Sequence, residues 1–374
     1  MRIQFILPMA GLTGGVKVVF QYANFLHKQG HTVTILYPGK LFPDNGIRWR
    51  AEAIIRHGKY SLQALAGISE ANWFPLDVPI IRTPSLEKRY IPDADITIAT
   101  SNETADWVAK LPPRCGDLFY FIQAYEDWSR TIDEVNATWK LPLKKIVIAT
   151  WLKNIAKQKF GEPVCGVVVN GINLTEFFTT KREAHSQPRI LMLSHNIASK
   201  GLEDGFSAIK LIRTKVPNIQ LVMFGAKPPR TDMPLGTEYH RLPSNETLRD
   251  LYNSCDVYLC TSWVEGGPLP PMEAMACSCA VVTTRVGAVP DYTIPGKTAL
   301  VVPTQRPDLL ADAVVSLLSN QQLLQDVSTA GHAYIQQFTV QQAAESFEKI
   351  LLEYYQKPLP HSWTVPLMNG LPAV

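Results

Sequence analysis

Apolar runs of strand length alternate with stretches of helical periodicity along the chain, and this alternation constrains the fold more than any other feature. Strand 2–8 leads through the loop Met9 to Gly15 into helix 16–29 and strand 32–37. That helix carries Val16, Val19, Phe20, Ala23 and Leu26 at three-to-four spacing, and Gly30 ends it. Further strands are expected at 96–100, 118–122, 145–149 and 166–170, while 40–92, proline-rich and aromatic with weak periodicity, is assigned no structure. A second series begins after the polar segment 179–188 with strand 189–193, helix 202–215, strand 219–224 and helix 245–254. Strand 257–262, helix 270–277 and strands 280–284 and 299–302 follow. Helices 307–319, 321–336 and 340–356 close the chain, the last opening on a capping box of Thr339 and Gln342. The expected fold is α/β, with two doubly wound parallel-sheet domains facing across a cleft, because ligands of such sheets lie at the carboxyl ends of the strands. The expected limits are 1–182, 183–339, and a helix and tail 340–374 returning to the first domain.

A chain of 374 residues exceeds one ordinary core, and 46% hydrophobic with 18% charged residues is ordinary globular composition. A net charge of +3 is too small to imply nucleic acid; it is compatible with peripheral contact to an anionic membrane surface. No apolar run reaches membrane-spanning length, and residues 1–8 lack the core and cleavage site of a signal peptide. The six cysteines form no CxxC pair, and Cys277-Ser-Cys279 lacks the partners of a zinc site. Reduced thiols in a cytoplasmic protein, at most working at the inner face of a membrane, and no bound metal are the expectations.

Chemistry concentrates in Glu265-Gly-Gly-Pro-Leu-Pro-Pro-Met-Glu273, which joins an apolar strand to a helix start. Pro270 and Pro271 suit a first helical turn, and the N–H groups and dipole of such a terminus attract anions. Glu273, expected in the first turn, has the chemistry to accept paired ribose hydroxyls, and Glu265 to hold a second polyhydroxyl group. Taken singly, either glutamate also fits a structural role, offsetting the helix dipole or meeting solvent. The loop from Gly11 to Gly15 precedes another helix, but it is not GxGxxG and no acidic residue ends the second strand, which counts against a dinucleotide site. A tight strand-to-helix turn explains it equally well. In the second half, His195 lies at a strand end, and Lys200, before Gly201, stands where a helix dipole disfavours a cation unless an anion is near.

These segments together resemble the GT-B glycosyltransferases of retaining family four. The match rests on Glu265 to Glu273, on Lys200-Gly201, on the turn Asn170 to Phe177, on Ala149-Thr-Trp-Leu152, on Gly14-Gly15 and on Asp291, Gly296 and Leu300 to Pro303. The resemblance implies transfer of a sugar from a nucleotide-diphosphate sugar to a hydroxyl on a glycan or lipid-linked glycan acceptor, in cell-surface polysaccharide synthesis, with anomeric retention and no cofactor. It implies that Glu265, Lys200 and His195 serve catalysis, and that Glu273, Gly267, Pro268, Leu269, Gly14, Gly15 and Arg241 bind the donor. On the acceptor side Gln123, Tyr125 and Glu126 stand where the family commonly has a histidine, and a plain strand end with a polar loop fits them equally. His195 replaces the family's arginine, and Gly267-Pro268 alters the start of its glutamate segment. A nucleotide-sugar epimerase or phosphorylase on the same fold, and a non-catalytic sugar-nucleotide-binding homologue, are the alternatives.

Overall fold

The computed structural model describes residues 1–39, 71–181 and 185–356. They pack as two units, Met1–Val168 with the chain from Ala344, and Val169–Ala343. In the first, β1 (Arg2–Ile6), β2 (Thr32–Pro38), β3 (Ile80–Thr83), β4 (Ile96–Ala99), β5 (Asp117–Ile122), β6 (Lys144–Val147) and β7 (Gly166–Val167) form a parallel sheet in the order β3-β2-β1-β4-β5-β6-β7. Helices α1 (Gly14–Lys28), α2 (Asn102–Val108), α3 (Ile132–Trp139) and α4 (Thr150–Phe160) connect them. β4 and β6 are buried throughout, as expected of parallel strands covered on both faces. Within β6 the two lysines are satisfied: Lys144 Nζ donates to Asp117 Oδ1 at 2.8 Å, and Lys145 Nζ to Glu162 Oε2 at 3.0 Å.

The second unit holds β8 (Arg189–Leu193), α5 (Leu202–Lys215), β9 (Gln220–Gly225), β10 (Glu238–Arg241), α6 (Asn245–Ser254), β11 (Val257–Cys260) and α7 (Leu269–Ala276). It continues with β12 (Ala280–Thr284), the short α8 (Val289–Tyr292), β13 (Leu300–Val302), α9 (Pro307–Leu318) and α10 (Gln321–Ile335). The strands form a parallel sheet in the order β10-β9-β8-β11-β12-β13. Ile190, Met192, Leu221, Met223, Leu259 and Val282 meet Ile209 and Ile212 of α5 and Val314 and Leu317 of α9 in its core. The last helix, α11 (Val340–Tyr354), carries Phe347 into the first unit, its ring 6.2 Å from that of Phe5, 5.1 Å from Tyr22 and 5.0 Å from Phe121.

Each sheet reverses its strand order once, between β1 and β4 and between β8 and β11. Those are the points where a crevice opens at the carboxyl ends of parallel strands.

The sequence expectations differ from this in particular places. The Thr13 hydroxyl accepts from Val16 N at 3.2 Å, so α1 begins at Gly14, and the two glycines are its first residues and not a loop. The strand expected over 166–170 stops at Val167, because the chain turns away to pair Ile172 with Thr339. A Cβ on Gly171 would lie 2.1 Å from Thr339 O, so this approach requires glycine. β3 lies in the stretch assigned no structure, of which 40–70 falls outside the described residues. β10, an edge strand reading Glu-Tyr-His-Arg, has no apolar run to betray it. Among the described residues no helix is long and apolar enough to cross a membrane.

Candidate active site

In the second unit both loops at the strand-order reversal carry polar side chains, and backbone bonds stitch the loops together. After β8 the chain runs through His195 into a single 3-10 turn, Ala198–Lys200, and then Gly201 at φ +64. A Cβ on Gly201 would lie 2.0 Å from Thr261 O, so only glycine lets the loop after β11 come this close. Trp263 N donates to Ser199 O at 2.7 Å, Thr261 Oγ1 to Lys200 O at 3.0 Å, and Trp263 Nε1 to Asp204 Oδ2 at 2.7 Å.

This seam brings Lys200 against Glu265. Lys200 Nζ donates to Glu265 Oε1 at 2.7 Å and Oε2 at 2.8 Å, and Ser262 Oγ donates to Oε1 at 2.8 Å. His195 Nδ1 accepts from Ile197 N at 3.1 Å, leaving Nε2 to carry the proton of the neutral ring. Burial, with the nearby Lys200 charge adding to it against the opposing pull of Glu265, lowers the His195 pKa and favours that neutral form. The position therefore offers a hydrogen-bond donor without charge where an arginine would have supplied a second cation.

Glu273 lies one residue further into α7 than expected, just past its first turn. Pro268 is the N-cap and Leu269 the first helical residue, which makes Glu273 the fifth. It is 6% exposed, and its Oε2 accepts from the Tyr252 hydroxyl at 3.0 Å. Pro268, Pro270 and Pro271 have no N–H, so the amides offered at this helix start are those of Gly267 and Leu269. Behind the loop, Ala288 N donates to Gly266 O at 3.0 Å and Tyr292 Oη to Pro268 O at 3.3 Å. Arg241, the exposed last residue of β10, stands at the far edge, two strands from β8.

In the first unit, Gly14 and Gly15 open α1 beside the end of β5. A Cβ on Gly15 would stand 3.3 Å from the Gln123 amide, whose Oε1 is buried without a hydrogen-bond partner. Tyr125 bonds through its hydroxyl to Asn136, and Lys159 Nζ lies 4.9 Å from the centre of its ring. Glu126 adopts φ 60, and its Oε2 accepts from Asn102 N, at the start of α2, at 2.6 Å. Burial pushes the Glu126 carboxyl up to about 8, against the lowering effect of that bond.

Reading the sequence missed Ser262, Tyr252, Asp204 and Trp263. Only Trp263 carried a signal, an aromatic set in a polar loop next to the glycine segment. Cys277 and Cys279 are 2% and 1% exposed, and burial first of all pushes the Cys277 thiol up to about 12. That leaves Cys277 a packing group and not a reactive one. Among the described residues no three His, Cys, Asp or Glu side chains are grouped to hold a metal.

With both sheets and their switch points defined, the fold is that of the GT-B glycosyltransferases. It superimposes on the sucrose-phosphate synthase of Thermosynechococcus elongatus over 95% of this chain and 99% of that one, with TM-score 0.71 at 16% identity. Residues 175–334, which contain Lys200, Glu265 and Glu273, match the family model for glycosyl transferases group 1. The D-inositol 3-phosphate glycosyltransferase of Corynebacterium diphtheriae is 33% identical over 105 residues, 28% of this chain and 25% of its own length. A GDP-mannose-dependent phosphatidylinositol monomannoside mannosyltransferase of Mycolicibacterium smegmatis is 27% identical over 161 residues, 39% of this chain and 42% of its own. The matched segments thus span less than half the length of these relatives.

Proposed function

We propose that the chain is a retaining glycosyltransferase that moves a sugar from a nucleotide-diphosphate sugar to a hydroxyl of a glycan or lipid-linked glycan, in the synthesis of a cell-surface glycoconjugate. The observation that carries this reading is the Lys200–Glu265 pair at the β8/β11 switch point, within the segment that matches the group 1 family. The names of the two relatives, both glycosyltransferases, support it. In this reading Glu273 accepts the ribose hydroxyls, Glu265 holds the sugar, and the amides of Gly267 and Leu269 face the diphosphate. Arg241 lies on the side of the base.

Cleaving the sugar–phosphate bond leaves positive charge on the anomeric carbon and negative charge on the departing diphosphate. Lys200, once drawn from Glu265, and the two amides stabilise the latter, the amides without reorganisation during the reaction. His195 adds a neutral Nε2–H to the same oxygens. The departing phosphate takes the proton of the acceptor hydroxyl as that hydroxyl attacks from the same face, which retains the configuration. In the first unit Gln123, with its orphan amide oxygen, is the candidate for an acceptor hydroxyl, whereas Tyr125 and Glu126 shape the loop. Six free thiols, five of them buried, accord with work in the reducing cytoplasm.

The reading is tested by incubating the protein with UDP-, GDP-, ADP- and dTDP-sugars and a panel of acceptors, with proton NMR of the new linkage. Retention is expected; an inverted product overturns the mechanism, and interconversion of donors without transfer makes the protein an epimerase.

A further inference from the structure

Lys200 and Glu265 satisfy one another, and the two sides of the pair differ in freedom. Glu265 is fixed: Ser262 Oγ donates to it, Thr284 Oγ1 in turn donates to Ser262 O, and Gly287, at φ +53, packs under the Glu265 carbonyl. Lys200 reaches the carboxylate on a four-carbon stem whose ammonium is free to swing to another acceptor. The Glu265 side chain is 12% exposed and that of Lys200 25%, so neither charge is easily left to water. If Lys200 leaves for a phosphate, Glu265 keeps Ser262 as its donor and loses its cation, a penalised state for a carboxylate this enclosed. A sugar beside the phosphate removes that penalty, because its hydroxyls donate to the vacated oxygens.

We propose that Glu265 makes this site selective for an intact sugar nucleotide over the nucleoside diphosphate left after transfer, by reclaiming Lys200 whenever no sugar hydroxyls take its place. This rests on the donor-site reading above. Binding of sugar and phosphate is thereby coupled through one ion pair, and departure of the sugar drives release of the spent nucleotide. The pair lies wholly within the second unit, so the coupling operates there without any contribution from the first.

The test is calorimetric binding of UDP, GDP, ADP and dTDP, and of the corresponding glucose or mannose nucleotides, to wild type, Glu265→Gln, Lys200→Ala and the double variant. Glu265→Gln is expected to bind its nucleoside diphosphate about tenfold tighter than wild type, the size of one released charge contact. Its preference for the sugar nucleotide over the diphosphate falls correspondingly. In the Lys200→Ala background the same substitution gives no gain, since there is no cation to release. Unchanged or weaker diphosphate binding by Glu265→Gln overturns the proposal. An equal gain in both backgrounds also overturns it, because relief of simple repulsion then explains the effect. If wild type binds none of these nucleotides, the donor-site reading itself fails, which is a different result. Thermal unfolding checks that Glu265→Gln is folded; should it not be, Glu265→Asp, with its carboxylate drawn back by one methylene, must show the same sign for the proposal to stand.

Discussion

The Tyr252 hydroxyl donates to Glu273 Oε2 at 3.0 Å, tying the second glutamate of the segment to a phenol from α6. Both residues are buried, and Tyr252 also packs edge-on against Phe177, Phe224 and Tyr258. That bond fixes the direction of a carboxylate that is almost wholly enclosed. Tyr252→Phe preserves the packing and removes the bond. A hydrogen bond to a charged group contributes about 1.5–3 kcal/mol, so the variant is expected to bind its nucleotide roughly tenfold or more weakly. Unchanged affinity by calorimetry means that Glu273 does not depend on this bond for its aim.

Gly201 is the residue through which the two site loops touch. Gly201→Ala places a Cβ 2.0 Å from Thr261 O in a backbone that already has φ +64. We expect a loss of about 1–3 kcal/mol in urea unfolding. Lys200, one residue earlier, is displaced with it, so turnover falls more than stability. A variant as stable and as active as wild type contradicts the close approach.

Two groups give stability pH dependences of opposite sign. The Glu126 carboxyl, pushed up to about 8 in the fold, titrates near 4.3 when unfolded. The folded state therefore holds the extra proton between these values, and stability from this group is lost as pH rises through that window. His195 is lowered in the fold, so there the unfolded state binds the proton first, and its contribution is lost as pH falls below about 6.5. Glu126→Gln should gain on wild type in thermal unfolding at pH 8.5, with the gap closed by pH 4. His195→Gln should flatten the loss on the acid side. A Glu126→Gln difference that is constant with pH removes this role for the carboxyl.

Phe347 docks α11 on the first unit, fully buried among Phe5, Tyr22 and Phe121. Phe347→Ala opens a cavity there and is expected to cost about 3–5 kcal/mol, measured by denaturant titration. A cost below about 1 kcal/mol means that the site collapses around the lost ring.

Strand and helix alternation made both sheets legible, because buried parallel strands such as 257–260 are continuous apolar runs and α1 has a clear apolar stripe. The edge strands β3 and β10 were not legible, since a strand covered on one side needs no such run. The site followed the same division. Lys200 and Glu265 stood out in the sequence as candidates for phosphate and hydroxyl chemistry, but their 2.7 Å contact joins residues 65 apart in sequence, which only the β8/β11 adjacency brings together. Glu273 was misplaced by one residue, enough to leave the first turn, because the N-cap fell on a proline whose side chain cannot signal it. Glu126 offered nothing in sequence to distinguish a half-buried cap on α2 from a solvated loop acid.

The most direct test of the account is turnover of sugar nucleotides by wild type and Lys200→Ala, followed as release of nucleoside diphosphate. Wild type should release the diphosphate of one donor in the panel. Lys200→Ala, lacking the charge that stabilises the leaving group, should lose a factor of about 100–1,000 in kcat. No turnover of any sugar nucleotide by wild type, or full turnover by Lys200→Ala, contradicts it.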